Sequence, residues 1–238
     1  MLAGYFRFGP IKERFWDRFL LSAQSGFPIN EAPMFQAIDN VLFELINEGC
    51  HNAVFNFIMP LFSQVWLMWV GAAVCILACA LHCWRSSLEP VGRVLMLIVL
   101  MGLSVGVTDF TSSALKHSIG RDRPCEEVLG ANYYDPGMDQ WILVTHQTSE
   151  EMRVGGSMPS APAAACMAVA VVLSLLFAKA NPWIFLLPAS VGFAQVYVGK
   201  NYPFDILVGW LLGVISVIAV WWVCHLIIIR FSSHRKLG

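Results

Sequence analysis

Long uncharged stretches alternate with short polar ones along most of this chain. Five of these stretches are apolar enough to cross a bilayer as helices, which takes about 20 residues each; the fourth is short and interrupted by Pro188. They cover approximately residues 54–83, 94–115, 159–179, 183–198 and 206–229. The pattern therefore predicts an all-α integral membrane protein built as a helical bundle of about five transmembrane helices.

A different pattern precedes the first of these stretches. Over residues 36–50, apolar side chains recur at helical spacing, and Gly49 is a typical end of such a helix. The pattern predicts an amphipathic helix that lies on the membrane surface rather than crossing it. We therefore divide the chain into an interfacial segment over 1–50, a transmembrane domain over 51–230 and a cytoplasmic tail over 231–238. The apolar face of the amphipathic helix comprises Ile38, Val41, Leu42, Leu45 and Ile46.

Composition agrees with a membrane protein and excludes several other classes. Hydrophobic residues make up 57% of the chain and charged residues only 13%, which is too apolar for an ordinary soluble domain. Nucleic-acid binding would need a basic face or a stacking platform, and the sequence shows neither. The seven cysteines have neither metal-ligand nor disulfide spacing, so we expect no metal and no cofactor.

The basic residues predict how the bundle is oriented. With five spans, one membrane face collects most of the basic residues that flank the apolar stretches, and that face should be cytoplasmic. The opposite face then holds Lys116, the polar segment 121–156 and the connection 201–205. The residues that define the cytoplasmic face are Arg85, Arg93, Lys179, Arg230, Arg235 and Lys236.

Three cations, Lys116, Arg121 and Arg123, follow the end of the second apolar stretch. Lys116 and Arg123 are seven residues apart, a spacing that would place both on one face of a continuing helix. The arginine guanidinium is planar and suits phosphate oxygens, while lysine adds a compact point charge. A stop-transfer cluster of snorkelling cations is the alternative, but such a cluster is normally cytoplasmic. The segment therefore predicts a phosphate site.

Two later segments carry weaker signals of the same kind. Ser157 precedes the third apolar stretch and Ser160 lies at its start, where either can cap a helix whose N-terminus favours an anion. Asp205 enters the fifth stretch, and Asn201 lies four residues before it. A buried carboxylate needs a hydrogen-bond donor or a cation as its partner.

Together, the three segments resemble the type 2 phosphatidic acid phosphatase and vanadium haloperoxidase superfamily. Its pattern is Lys-x6-Arg-Pro, then Pro-Ser-Gly-His, then Ser-Arg-x5-His-x3-Asp. The first motif is matched in full, the second in half, and the third at its aspartate. The resemblance covers roughly residues 50–230 and implies a bacterial inner-membrane protein with its site facing the periplasm. The matching residues are Lys116, Arg123, Pro124, Pro159, Ser160 and Asp205.

The resemblance also shows what this chain lacks. It implies a covalent route in which one histidine attacks phosphorus, an aspartate orients it, and a second histidine protonates the leaving group. Asn201 stands at the position of the nucleophile and Pro162 at that of the general acid. Gln195 stands at the position of a phosphate-binding arginine. We therefore expect hydrolysis to be lost or strongly reduced.

Three hypotheses follow. The leading one is a site at the outer face that binds phosphorylated lipid, such as phosphatidic acid, a polyprenyl phosphate or a lipid A type phosphate. The second is an active lipid phosphatase with a non-standard nucleophile, for which His117 and His146 are candidates; the third is a purely structural membrane protein. Asp109, inside the second stretch, is either functional or a structural partner. The predicted phosphate-binding residues are Lys116, Arg121, Arg123, Ser160, Gln195 and Asn201.

Overall fold

The computed structural model describes residues 31–64, 90–146, 156–176 and 181–234, together with the helical positions 73 and 77. Helices dominate this part of the chain. They are α1 (Glu31–Asn47), α2 (Ala53–Ser63), α3 (Pro90–Ile119), α4 (Pro124–Glu127), α5 (Ala161–Leu176), α6 (Asn181–Ile184), α7 (Leu186–Tyr197) and α8 (Pro203–His234). The strands are β1 (Asn132–Asp135) and β2 (Gln140–Leu143).

Two stretches of the described chain are long and apolar enough to cross a membrane. They are Leu95–Glu127, which contains most of α3, and Pro203–Ile227 within α8. Helices α2, α5 and α7 are shorter apolar helices. The structure is thus a mostly helical membrane fold. The count of five spans stays a prediction, because most of the first one, 54–83, lies outside the described residues.

The core of the bundle forms where α5 packs against both α3 and α8. Buried side chains from all three helices meet there, including Leu97, Val172 and Val217. Helix α8 approaches α5 through two glycines, Gly209 and Gly213. A Cβ atom on Gly213 would lie only 2.4 Å from the carbonyl oxygen of Ala164, so the two backbones are in direct contact. This contact places the start of α8 beside the start of α5.

A side chain at position 213 should therefore separate these helices. We expect Gly213→Leu to destabilise the protein by about 1–3 kcal/mol, because a backbone oxygen cannot move aside as a flexible side chain would. The measurement is the Tm of the detergent-solubilised protein. Gly102→Leu is the matched control, since no atom lies within 4 Å of a Cβ built at that glycine. Equal Tm values for the two variants would contradict the close packing.

Helix α1 contains most of the predicted amphipathic helix, and its inward side carries two polar residues beside Phe43. Ile38 and Leu42 are exposed, whereas Asp39, Phe43 and Asn47 are buried against the rest of the protein. Ile38, Leu42 and Leu45 of the predicted apolar face therefore point outward, the orientation required of a helix that lies on a bilayer, whereas Ile46 packs against the core. Asp39 and Asn47 were missed as inward-facing residues, because periodicity identifies two faces but not the one that meets the protein.

The polar segment after α3 contains a β-hairpin, which corrects the all-α prediction. Strands β1 and β2 pair antiparallel. β1 lies against the end of α7, where the Tyr134 N–H donates to the Val198 carbonyl at 3.2 Å. Gly199 has a φ of +77°, and a Cβ there would lie 2.6 Å from the Asn132 carbonyl oxygen. A glycine is needed at this turn for both reasons, and it brings the hairpin next to the connection between α7 and α8.

Candidate phosphate site

The segment before α5 runs along the end of α3. Ser157 donates its N–H to the Arg121 carbonyl at 2.7 Å and its hydroxyl to the Asp122 carbonyl at 3.0 Å. Gly156 touches the last turn of α3, since a Cβ on it would lie 2.8 Å from the Lys116 carbonyl oxygen. The first two predicted segments are therefore in contact.

The third segment contacts the second, and we call the three segments together (116–124, 156–163 and 194–205) the cluster. Asn201 donates its side-chain amide to the Ser157 carbonyl at 2.7 Å and accepts a hydrogen bond from the Ser160 hydroxyl at 3.2 Å. The Ser160 N–H donates to the Asp205 carbonyl at 3.0 Å. The predicted convergence of the three segments is confirmed. Helix α5 begins at Ala161, one residue after Ser160, so its N-terminus and the positive end of its dipole face this cluster.

Arg121 connects three parts of the protein. One terminal nitrogen contacts Asp39 of α1 at 2.6 Å, and the other contacts Asp205 of α8 at 2.9 Å. The guanidinium carbon also lies 4.1 Å from the centre of the Tyr202 ring. Asp39 and Asp205 are almost fully buried, and only 20% of the Arg121 side chain is exposed. The contribution of Arg121 to phosphate binding stays a prediction; in this arrangement it joins α1 to α8.

Asp205 and Asn201 stand at catalytic positions according to the family resemblance. The side chains of both residues are engaged in hydrogen bonds or ion pairs within the protein. Asp205 accepts a hydrogen bond from the Tyr202 N–H at 2.7 Å in addition to its contact with Arg121. It thus has the partners that a buried carboxylate requires. Asn201 uses its amide nitrogen and its amide oxygen on the two serines before α5. Pro162, in the first turn of α5, has no side-chain proton to transfer.

Gln195 lies on α7 and is buried. Its amide nitrogen donates to the carbonyl of Ser63 at the end of α2, at 3.2 Å. Its own backbone carbonyl accepts hydrogen bonds from the N–H groups of Lys200 and Asn201. The side chain therefore helps to hold α2 against α7, and a contact with phosphate stays a prediction.

Three half-buried cations belong to the first and third segments of the cluster. Lys116 and Arg123 were predicted, and the charge of Arg123 acts on Lys116. Sequence reasoning missed the third, Lys200. Burial, followed by the charge of Arg123, lowers the pKa of Lys200. The signal that could have found it is its place in the third segment, directly before Asn201.

The two candidate replacement nucleophiles make no described hydrogen bond to this cluster. His117 and His146 are exposed, and neither has a hydrogen bond to Ser157, Asn201 or Asp205 in the described part of the chain. Within the same residues, no group of three His, Cys, Asp or Glu side chains is placed to hold a metal ion. Asp109 is exposed on α3, and its charge acts on Lys116.

Two solved structures share this architecture. The crystal structure of Aquifex aeolicus LpxE matches with a TM-score of 0.54 and 19% identity, covering 82% of this chain and 96% of that one. The first transmembrane PAP2 type phosphatidylglycerolphosphate phosphatase from Bacillus subtilis matches with a TM-score of 0.54 and 16% identity, covering 89% and 94%. At these identities the likeness establishes the fold.

Sequence comparison identifies the family. The bacitracin transport permease protein BcrC of Bacillus licheniformis is 41% identical over 51 residues, which are 21% of this chain and 25% of that protein. The chain thus matches about a quarter of the length of this relative. A sequence model of the PAP2 superfamily matches residues 96–228, more than half of the chain and all of the cluster described above. The protein belongs to the PAP2 superfamily.

Proposed function

We propose that this protein binds phosphorylated lipid at the outer face of the membrane, with hydrolysis lost or strongly reduced. The observation that carries the proposal is the bonding of Asn201. Both polar atoms of its side chain bond to the serine segment before α5, at the position where the family resemblance expects a nucleophile. An amide held in this way organises the site and has no capacity to attack phosphorus.

The remaining catalytic positions support the same conclusion. A covalent mechanism needs a nucleophile that a neighbouring group activates and orients. Asp205 is engaged instead by Arg121 and the Tyr202 N–H. Pro162 supplies no acid for the leaving group. The chain therefore keeps the fold in which the reaction would take place but lacks the side chains that would act as nucleophile and general acid.

Phosphate recognition is supported by the groups that the cluster keeps. The segment that carries Lys116 and Arg123 contacts the residues directly before the N-terminus of α5, where backbone dipoles favour an anion. Cations at a bilayer edge are costly unless an anion or another partner compensates them. One of the two structures with this fold is a phosphatidylglycerolphosphate phosphatase. For this chain we propose phosphatidic acid, a polyprenyl phosphate or a lipid A type phosphate as ligand.

The location of the site is part of the proposal. The basic residues at the other ends of the apolar stretches indicate a cytoplasmic face, so the cluster would face the periplasm from a bacterial inner membrane. An accessibility experiment with membrane-impermeant thiol reagents tests this in whole cells. A cysteine introduced at the exposed position Met138 of the hairpin should be labelled, whereas one at position 236 should not.

The proposed loss of hydrolysis is tested by phosphate release from a panel of lipid phosphates and diphosphates. We expect the purified protein to release no phosphate under conditions in which these lipids bind. Release that disappears in Arg123→Ala would overturn the proposal. His117→Ala and His146→Ala would then show whether either histidine serves as the nucleophile.

A further inference from the structure

One side of helix α3 faces away from the core of the bundle. The buried residues of this helix, which include Leu97, Ser104 and Thr108, lie on the side that packs against α5 and α8. Successive residues of a helix are turned by about 100°, so Gly102 and Gly106 lie on the opposite side. Both glycines are exposed, and no atom lies within 4 Å of a Cβ built on either of them. In the described part of the chain, this side of α3 is therefore uncovered.

The two glycines have the spacing of a motif by which membrane helices pack. They lie within the apolar stretch Leu95–Glu127, which is long enough to cross a membrane. A G-x-x-x-G pair in such a helix lets a second backbone approach closely, because no side chain stands in the way. The exposed side chains of Ile98 and Leu103 border the pair on its two sides. The glycines thus form the floor of a shallow groove.

An acidic residue continues the same line along α3. Asp109 lies about one turn after Gly106 and about 15 Å before the end of the helix. Its side chain is exposed and, among the described residues, has neither a hydrogen bond nor an ion pair; its charge acts on Lys116. A carboxyl group that faces lipid inside a membrane is costly, and such groups normally meet another polar group. Ser113, one turn further on, is exposed on the same line. This side of α3 therefore carries polar groups that lipid tails would leave unpaired.

A second copy of the chain satisfies both features of this side. All copies insert into the membrane in the same orientation, so their α3 helices run parallel and can meet about a two-fold axis. The glycine pair of one copy then lies against that of the other, where both backbones can approach. Asp109 lies level with Asp109 and Ser113 of the second copy. A shared proton or a serine hydroxyl gives its carboxyl oxygens the hydrogen bond that lipid tails cannot supply.

We propose that this protein forms a parallel dimer through the side of α3 that carries Gly102, Gly106, Asp109 and Ser113. The proposal goes beyond the ligand proposed above and does not depend on it. Because the two copies run parallel, both clusters lie at the same face of the membrane.

The test measures association of the full-length protein in phosphatidylcholine vesicles. Copies labelled at the N-terminus with a donor or an acceptor fluorophore are mixed, and energy transfer between them is followed as the protein is diluted in lipid. Transfer should exceed the level expected from random proximity. Gly106→Leu should weaken association about 10- to 100-fold, because a side chain in the contact separates the two backbones. Ala114→Leu, which adds bulk at an exposed position of α3 away from this line, should leave association unchanged.

The carboxyl group is tested separately. Asp109→Ala should weaken association about 3- to 20-fold, the size of a polar contact between membrane helices, and Asp109→Asn should lose less because it keeps a hydrogen-bonding group. Folding of the single copy should not change in Gly106→Leu, since the new side chain occupies open space there. The circular dichroism spectrum of each variant, recorded in detergent at low protein concentration, verifies this.

Cross-linking locates the interface. Val99 is exposed one turn before Gly102, so Val99→Cys should give cross-linked dimer with a short bifunctional thiol reagent, above the background of the native cysteines. Ala114→Cys should stay at that background. Cross-linking of Val99→Cys within a single chain would show that another segment of the protein covers this side. That result, energy transfer at the random level, or unchanged transfer in Gly106→Leu would each overturn the dimer and leave the proposed function intact.

Discussion

Replacing Arg121 with methionine should destabilise the protein by about 3–5 kcal/mol, the cost of breaking a buried ion pair by removing one partner. Arg121 is the shared counter-ion of two carboxylates on different helices, at 2.6 Å from Asp39 and 2.9 Å from Asp205. Without it, two buried acids face each other with no cation between them. Their desolvation and mutual repulsion both oppose folding. The measurement is the Tm of the variant in detergent at a fixed scan rate.

The cause can be separated from a general loss of packing. Asp39→Asn in the Arg121→Met background should recover part of the lost stability, because it removes one of the two uncompensated charges. Arg230→Met is the control for losing an arginine at an exposed position. An unchanged Tm in Arg121→Met, or a second substitution that lowers Tm further, would contradict the structural role of Arg121.

Arg123→Ala should differ from Arg121→Met, because we expect it to weaken ligand binding strongly and to lower the stability of the protein little. We expect its affinity for a lipid phosphate to fall about 100-fold, because an arginine contributes charge and paired N–H donors to a phosphate. Arg123 is half-buried at the edge of the cluster, whereas the Arg121 side chain is held between buried acids. The measurement is the Kd for a lipid phosphate presented in nanodiscs, compared with a phosphatidylcholine background.

The conservative variant sharpens this result. Arg123→Lys keeps the charge but loses the planar pair of donors. Its affinity for the lipid phosphate should therefore lie between that of Arg123→Ala and that of the unmodified protein. Equal affinities for Arg123→Ala and the unmodified protein would show that this cation does not hold the ligand. The binding site would then have to be sought outside the cluster.

The helical part of the fold was predictable because it depends on apolar periodicity. The stretches 94–115 and 206–229 correspond to the long helices α3 and α8, and 183–198 corresponds closely to α6 and α7. The hairpin within 121–156 was not predictable from the same pattern. Its strands are short, and they depend on the turn at Gly199 and on the end of α7, which are remote in sequence. Residues 1–30 and most of 54–83 lie outside the described structure.

The meeting of the three site segments was also predictable, because each carries part of one motif pattern at the same predicted membrane face. The partners of individual side chains were not. Arg121 meets Asp39 because α1 turns the side that carries Asp39 inward, which its periodicity left open. Gln195 bonds to the end of α2, a residue 132 positions away. Lys200 matches no motif position, and its nearness to Arg123 follows from a single backbone hydrogen bond.

The most direct test of the central claim is recovery of the ligand after binding. The protein is incubated in molar excess with a lipid phosphate that is labelled on phosphorus. The label is then measured in three fractions: intact lipid bound to the protein, free phosphate, and phosphate attached covalently to the protein. The account predicts that the label stays on intact lipid and that Arg123→Ala retains little of it. Label released as phosphate, or transferred to the protein, would contradict a site that binds without phosphoryl transfer.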